Sequence, residues 1–240
     1  MIQKIVAVMM LSLFPHSIYS AEWGTVEGRV KVVGEVQPPP ELKTIGDHTI
    51  PDSSILIGKE GGLANCFVYL YQRKGQPEIH PDLQEPDPKI VKFEMQDIAF
   101  EPRCLILRTD QKLHVYSKGV RPHGLHTFFL RNQHYSSLIG QNDAVGEIHE
   151  YPIAEPLPTM VTDEINPWLR GYWMMTDHPY ATVTDTKGKF SIEKVPAGIH
   201  TFRIWHERVG YIERTLEVEI ENNKVTDLGT IMVQADDLKK

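Results

Sequence analysis

The chain has 240 residues, with 25 lysines and arginines against 32 aspartates and glutamates, for a formal net charge of −7. No basic stripe runs through it, which excludes an electrostatic nucleic-acid binder. Its two cysteines, Cys66 and Cys104, are too few for a disulfide framework or a zinc pattern.

The opening MIQKIVAVMMLSLFPHSIYSA, residues 1–21, carries Lys4, an apolar run from Ile5 to Phe14, and small residues at Ser20 and Ala21. That is the layout of a signal peptide, and its apolar run is too short to span a bilayer. A secreted or periplasmic protein is expected. No later run approaches membrane length, so no membrane span is expected either. The residues after the leader suffice for one large or two small domains. Cys66 alternates with Val68 and Leu70, as a buried thiol would, and in an oxidising compartment it can also pair with Cys104. Both readings stay open.

The segments that follow read as strands. "TVEGRVKV" alternates Val26, Val30 and Val32 with polar residues, and "NCFVYLY" is β-branched and aromatic. "PRCLILR", "KLHVY", "HTFFL", "KFSIEKV", "HTFRIW" and "RTLEVEI" continue the pattern. Turn signals separate them at Pro38 to Pro40, Gly61-Gly62, Lys74-Gly75, Lys187-Gly188, Ala197-Gly198 and Asn222-Asn223. Short strands at this spacing mean an all-β sandwich or barrel. The vague pattern of the 130s and 140s leaves room for a brief helical turn. Residues 72–89, rich in proline and charge, and "TDHPY" at residues 176–180 mark boundaries around a middle section.

The last 60 residues hold Thr184-Asp185, Gly188, Phe190, Ile192, Pro196, Gly198 and Gly210-Tyr211. Asp185 to Gly188 can close a hairpin with Gly188 at positive φ, and Phe190 and Ile192 share a face at strand spacing. This run resembles the carboxypeptidase regulatory-like domains, which are prealbumin-like β-sandwiches. "WGTVEGRVKVVGEVQPPP" and "GGLANCFVYLY" are similar to the front half of the same domain. The resemblance implies a discontinuous sandwich of residues 22–85 and 177–240, with "TVEGRVKV" sharing a sheet with strands beyond Tyr180.

Residues 86–176 between them resemble a cupredoxin. "FEPRCLILRTDQKLHVYSKGVRPHG" is similar to that family's Phe-x-Pro entry, strand, polar turn and strand leading to a histidine, which is His123 here. "TDEINPWLRGY" lies where the family carries its ligand loop. The order of the parts resembles a secreted bacterial family that joins a cupredoxin-like unit to a regulatory-like sandwich. Three of the four ligand positions depart from the pattern: Asp163 stands for the cysteine, Asn166 for the second histidine and Leu169 for the methionine. A blue-copper site needs a thiolate and two imidazoles with a weak axial ligand. The resemblance therefore implies a scaffold whose copper positions, His123, Asp163, Asn166 and Leu169, are vestigial, with no metal and no cofactor. Within the loop, Trp168 is expected to be largely buried, with Trp173 and Tyr180 also in the core.

His123 and His126 form an H-x-x-H pair ahead of His134. On a strand, residues three apart face opposite sides, whereas in a loop His123 with Asp163 could hold copper or zinc. His206 and Glu207 in "WHE" have no nucleophile or metal partner signalled and are expected to pair structurally. No G-x-S-x-G elbow, H-E-x-x-H helix or phosphate loop is present, and no catalytic residue is assigned. The chain is read as a non-catalytic binding or structural module, not an enzyme. The alternatives are a periplasmic metal-binding protein using His123 and Asp163, and a carbohydrate-associated accessory module. The partner is unnamed, with a protein or a glycan as the expected kinds of ligand.

Overall fold

Period-two alternation becomes strand almost throughout the chain. The computed structural model describes residues 22–36, 41–45 and 48–239. The signal-peptide reading of residues 1–21 and the turn at Pro38–Pro40 lie outside the described residues. The early strands are β1 (Trp23–Val33), β2 (Glu41–Ile45), β3 (His48–Pro51) and β4 (Phe67–Tyr71). The middle supplies β5 (Ile90–Met95), β6 (Phe100–Glu101), β7 (Cys104–Arg108), β8 (Lys112–Ser117) and β9 (His123–Thr127), then β10 (Ser136–Ile139), β11 (Glu147–Glu150), β12 (Thr159–Asp163) and β13 (Arg170–Thr176). The end supplies β14 (Ala181–Val183), β15 (Lys189–Pro196), β16 (Gly198–His206), β17 (Gly210–Ile220) and β18 (Val225–Gln234). Among the described residues the only helical pieces are short 3-10 turns, so the fold is all-β. None is long and apolar enough to cross a membrane.

Strands from the two ends of the chain share sheets. β1 lies between β15, antiparallel, and β18, parallel. The facing sheet runs β14-β4-β16-β17. Val26, Val30 and Val32 of β1 meet Val68 and Leu70 of β4, Phe190 and Ile192 of β15, and Phe202 and Ile204 of β16 in one core. The hairpin before β15 closes through Asp185, whose carboxylate accepts from the Lys187 and Lys189 amides. Gly188 takes φ +74° there, and a Cβ on it would lie 2.1 Å from the Val30 carbonyl oxygen. Only glycine fits that approach.

The middle strands make a second pair of sheets, β10-β9-β12-β13-β7 and β11-β8-β5-β6. Phe93, Leu105, Leu107, Val115, Leu125, Val161, Trp173 and Met175 fill the space between them. The helical turn expected in the 130s to 140s is replaced by the edge strands β10 and β11, paired with β9 and β8. Each offers mostly partly exposed residues, which blurs the period. Tyr135 and Ser137 donate to Glu147 across the gap and tie the two edges together.

Several strands are buried on both faces. In β4, Val68 and Leu70 enter the first core, while Phe67 and Tyr69 point away from it. In β13, Trp173 and Met175 enter the second core, while Met174 points away with Tyr172 beside it. These outward residues meet Cys104 and Trp205 in a third apolar cluster joining the two pairs of sheets. Unbroken apolar runs such as "FVYLY" and "CLIL" follow from that double burial.

Both cysteines are free and buried. Cys66 belongs to the first core and Cys104 to the junction cluster. Burial pushes the Cys66 thiol up to about 12, against a smaller opposing hydrogen bond from Thr184, and raises Cys104 as well. Neither is a reactive thiol.

Candidate functional site

β9 and β12 are neighbours, with Asp163 opposite Leu125. The first residue of β9, His123, and the last of β12, Asp163, therefore lie at the same end of the sheet. The loop that follows turns back on itself, since the Glu164 amide donates to the Gly124 carbonyl at 2.7 Å and the Leu169 amide to the Asn166 carbonyl at 2.9 Å. His123, Asp163 and Asn166 converge, at 0%, 1% and 2% exposure. Leu169 is buried beside them and packs into the middle core.

Asp163 organises this end. Its Oδ1 accepts from the backbone amides of Gly124, Ile165 and Asn166, each at 2.9 Å. Its Oδ2 accepts from His123 Nδ1 at 2.7 Å and Asn166 Nδ2 at 2.9 Å. Asn166 Nδ2 also donates to the Pro122 carbonyl at 2.9 Å. A carboxylate has about four lone-pair sites, so five donors saturate it. Because the carboxylate only accepts, the proton of this contact resides on His123 Nδ1. The other ring nitrogen, Nε2, is buried without a hydrogen-bond partner. Gly119 covers it so closely that a Cβ would fall 2.5 Å away.

Burial alone would raise the Asp163 carboxyl. The hydrogen bonds from His123, Asn166 and Gly124 overcome it and hold the group at about 2, against an ordinary 3.8. A depressed carboxylate stabilises the fold fully above its unfolded value, and that contribution fades as the pH falls from about 4 towards 2. About 2 kcal/mol should be lost over that window. Urea unfolding of the parent and Asp163→Asn from about pH 5 to about pH 2 checks it. The parent's advantage should shrink with acid, and a constant difference would refute the assignment.

Trp168 differs from the sequence expectation. It is only partly buried, while Trp173 and Tyr180 are fully buried. The reason lies in its polar edge. Its Nε1 donates to the Asp97 carbonyl at 3.0 Å, which holds the indole along the loop rim, with the Arg121 guanidinium 5.9 Å from its ring centre.

The other histidines are dispersed. His126 faces away from His123, partly exposed, with Nδ1 3.2 Å from Glu164 Oε1. His134 is exposed in the loop before β10. His206 is buried, and burial together with Arg103 and Arg208 pushes it down to about 4, so it stays neutral at ordinary pH. Its Nδ1 accepts from the Arg208 amide at 3.3 Å. Glu207 is held by Arg103 in a two-pronged ion pair, Nε to Oε1 and Nη2 to Oε2, both 2.7 Å. That pair joins the turn after β16 to the start of β7. Nothing in "EPRCLIL" marks Arg103 for the role, because its partner lies 104 residues away. Among the described residues no group of three or more His, Cys, Asp or Glu side chains is arranged to hold a metal ion.

No family model matches the chain. No curated protein matches it either. Solved structures that resemble part of it include cupredoxins and a copper-containing nitrite reductase. The purple cupredoxin from Nitrosopumilus maritimus aligns over 35% of this chain and 98% of its own, at 10% identity and a TM-score of 0.30. An oxidised amicyanin variant aligns over 45% of this chain and 99% of its own, at 11% identity and a TM-score of 0.32. The copper-containing nitrite reductase from Thermus scotoductus SA-01 aligns over 42% of this chain but 25% of its own, at 15% identity and a TM-score of 0.31.

Proposed function

We propose that the protein is an exported, non-catalytic binding or structural module in which a cupredoxin-like unit, residues 86–176, has exchanged its copper for a hydrogen-bonded carboxylate. On this reading residues 22–85 and 177–240 are one regulatory-like sandwich around it. What supports that division is the sharing of both outer sheets between the two ends of the chain.

The observation that carries the copper-free reading is the saturation of Asp163. All its acceptor capacity is used by five donors, three of them backbone amides. The chemistry of the donor set does not fit a blue-copper ion: there is no thiolate, Leu169 has no donor atom, and His123 Nδ1 already carries a proton for Asp163. The same arrangement weighs against zinc held by His123 and Asp163, since zinc would have to displace both that proton and the amides.

Copper(II) titration followed by absorption spectroscopy tests the reading. The parent should show no intense thiolate charge-transfer band. Asp163→Cys combined with Asn166→His places a thiolate and a second imidazole beside His123 Nδ1 and should gain the band. The missing axial ligand at Leu169 is the weakest of the four and should tune the potential more than abolish binding. A blue parent would overturn the proposal. A folded double variant that stays colourless would show that this loop no longer has cupredoxin geometry.

A further inference from the structure

A cleft of about 320 Å³ lies where β4 and β13 end. One wall comes from Tyr69, Tyr71 and the loop after β4, with Arg203 of β16 beside them. The other comes from Arg131, Glu155 and residues 174–177 at the end of β13. That volume is at the small end of the range for ligand sites.

Positive charge dominates the lining. Arg73, Lys74, Arg131 and Arg203 all contribute to it, and among the described residues none of the four forms an ion pair. Its acidic side chains are Glu155 and Asp177. Glu155 is already engaged. At 3% exposure, it accepts from the amides of Leu130, Arg131 and Asn132 at 3.0, 3.1 and 2.9 Å, and from Asn132 Nδ2 at 2.8 Å. Four cations against two carboxylates leave a surplus of two positive charges.

Arg203 gives a second, independent sign of a ligand. It is half-buried, and a guanidinium drawn out of water ordinarily meets a carboxylate. This one meets neutral groups instead. Its guanidinium lies 3.3 Å from the centre of the Tyr71 ring and 5.4 Å from that of Tyr211. Nε donates to the Arg214 carbonyl at 3.2 Å and Nη1 to the Tyr211 hydroxyl at 3.4 Å. Those contacts fix the plane of the group and leave further N–H donors on it. Across the cleft Arg131 is also held, with its amide on Glu155 and its Nη1 on the Ala154 carbonyl at 3.4 Å. Both cations are positioned before a ligand arrives, which lowers the entropy lost on binding.

We propose that this cleft binds a doubly charged phosphate group, free or carried on a monoester, between Arg131 on one wall and Arg203 on the other, with the exposed Lys74 beside them. A phosphate offers acceptor oxygens in several directions, so two arginines on opposite walls can each reach one. A carboxylate brings a single charge and two coplanar oxygens, and would leave half of the surplus unmet. The proposal names a ligand for the binding module and rests on that reading. It does not depend on the state of His123 and Asp163.

Isothermal titration calorimetry of the full chain at fixed ionic strength and about pH 8, where a phosphate is doubly charged, tests it with inorganic phosphate, glucose 6-phosphate, glucose and acetate. At least one of the two phosphates should saturate, and the tighter of them tells whether the group is free or esterified. Glucose and acetate should not bind. Arg131→Ala, on an exposed side chain, should keep the fold and weaken binding by about tenfold or more. Arg203→Gln should weaken it at least as much. Lys92→Ala, on an exposed lysine of β5 outside the cleft, should bind like the parent. Saturation by neither phosphate, equal binding of acetate or glucose, an Arg131→Ala variant that binds like the parent, or an equal loss in Lys92→Ala would each overturn the proposal. Such a failure would leave the copper titration and its interpretation unaffected.

Discussion

Asp163→Ala should destabilise the protein by about 3–5 kcal/mol, the range for removing one partner of a buried charged network. The substitution strands three backbone amides, the His123 Nδ1–H and one Asn166 donor in a space from which water is excluded. Each orphaned donor loses its bond to an ionised acceptor, the stronger kind. Asp163→Asn keeps the size and one acceptor oxygen, so it should cost less. Equilibrium urea unfolding at neutral pH measures both. A loss near zero for the alanine variant would mean that the loop relaxes and the amides find water.

The second large effect belongs to Trp173→Ala, expected to cost about 3–5 kcal/mol. Trp173 is at the centre of the middle core, with ring centroids of Phe93 at 4.9 Å, Tyr151 at 6.1 Å and Phe129 at 6.2 Å. Phe93 lies on the facing sheet, in β5, and Phe129 and Tyr151 lie in the connections after β9 and β11, so the space left by the indole cannot close from one side. Trp168→Ala should cost distinctly less, because that ring is partly in solvent. Thermal or urea unfolding of the two variants separates them, and equal losses would contradict the assigned burial.

The strand content was readable because β1 and β15 follow the two-residue period of sheets with one exposed face. Edge strands β10 and β11 were not, since their residues are mostly part-exposed on both sides and no face is strongly apolar. The double burial of β4, β7 and β13 left a trace, the unbroken apolar runs, but a run alone does not say which two cores it serves. In the loop, residue types at His123, Asp163, Asn166 and Leu169 could be compared with a ligand pattern. What the carboxylate does instead could not be read, because its donors are mostly backbone amides, which every sequence possesses. Trp168 departs from expectation for a related reason: its place in the retained turn of the loop suggests burial, but the Asp97 carbonyl that holds its Nε1 lies 71 residues away.

On the proposed reading a carboxylate, and not a metal ion, holds the end of the sheet where His123, Asp163 and Asn166 meet. Thermal unfolding of the parent with excess copper(II), excess zinc(II) or a chelator tests it most directly, because any ligand that binds only the folded state raises the midpoint by mass action. The three midpoints should coincide. A metal-dependent rise that Asp163→Asn abolishes would contradict the claim and place a metal ion at this site.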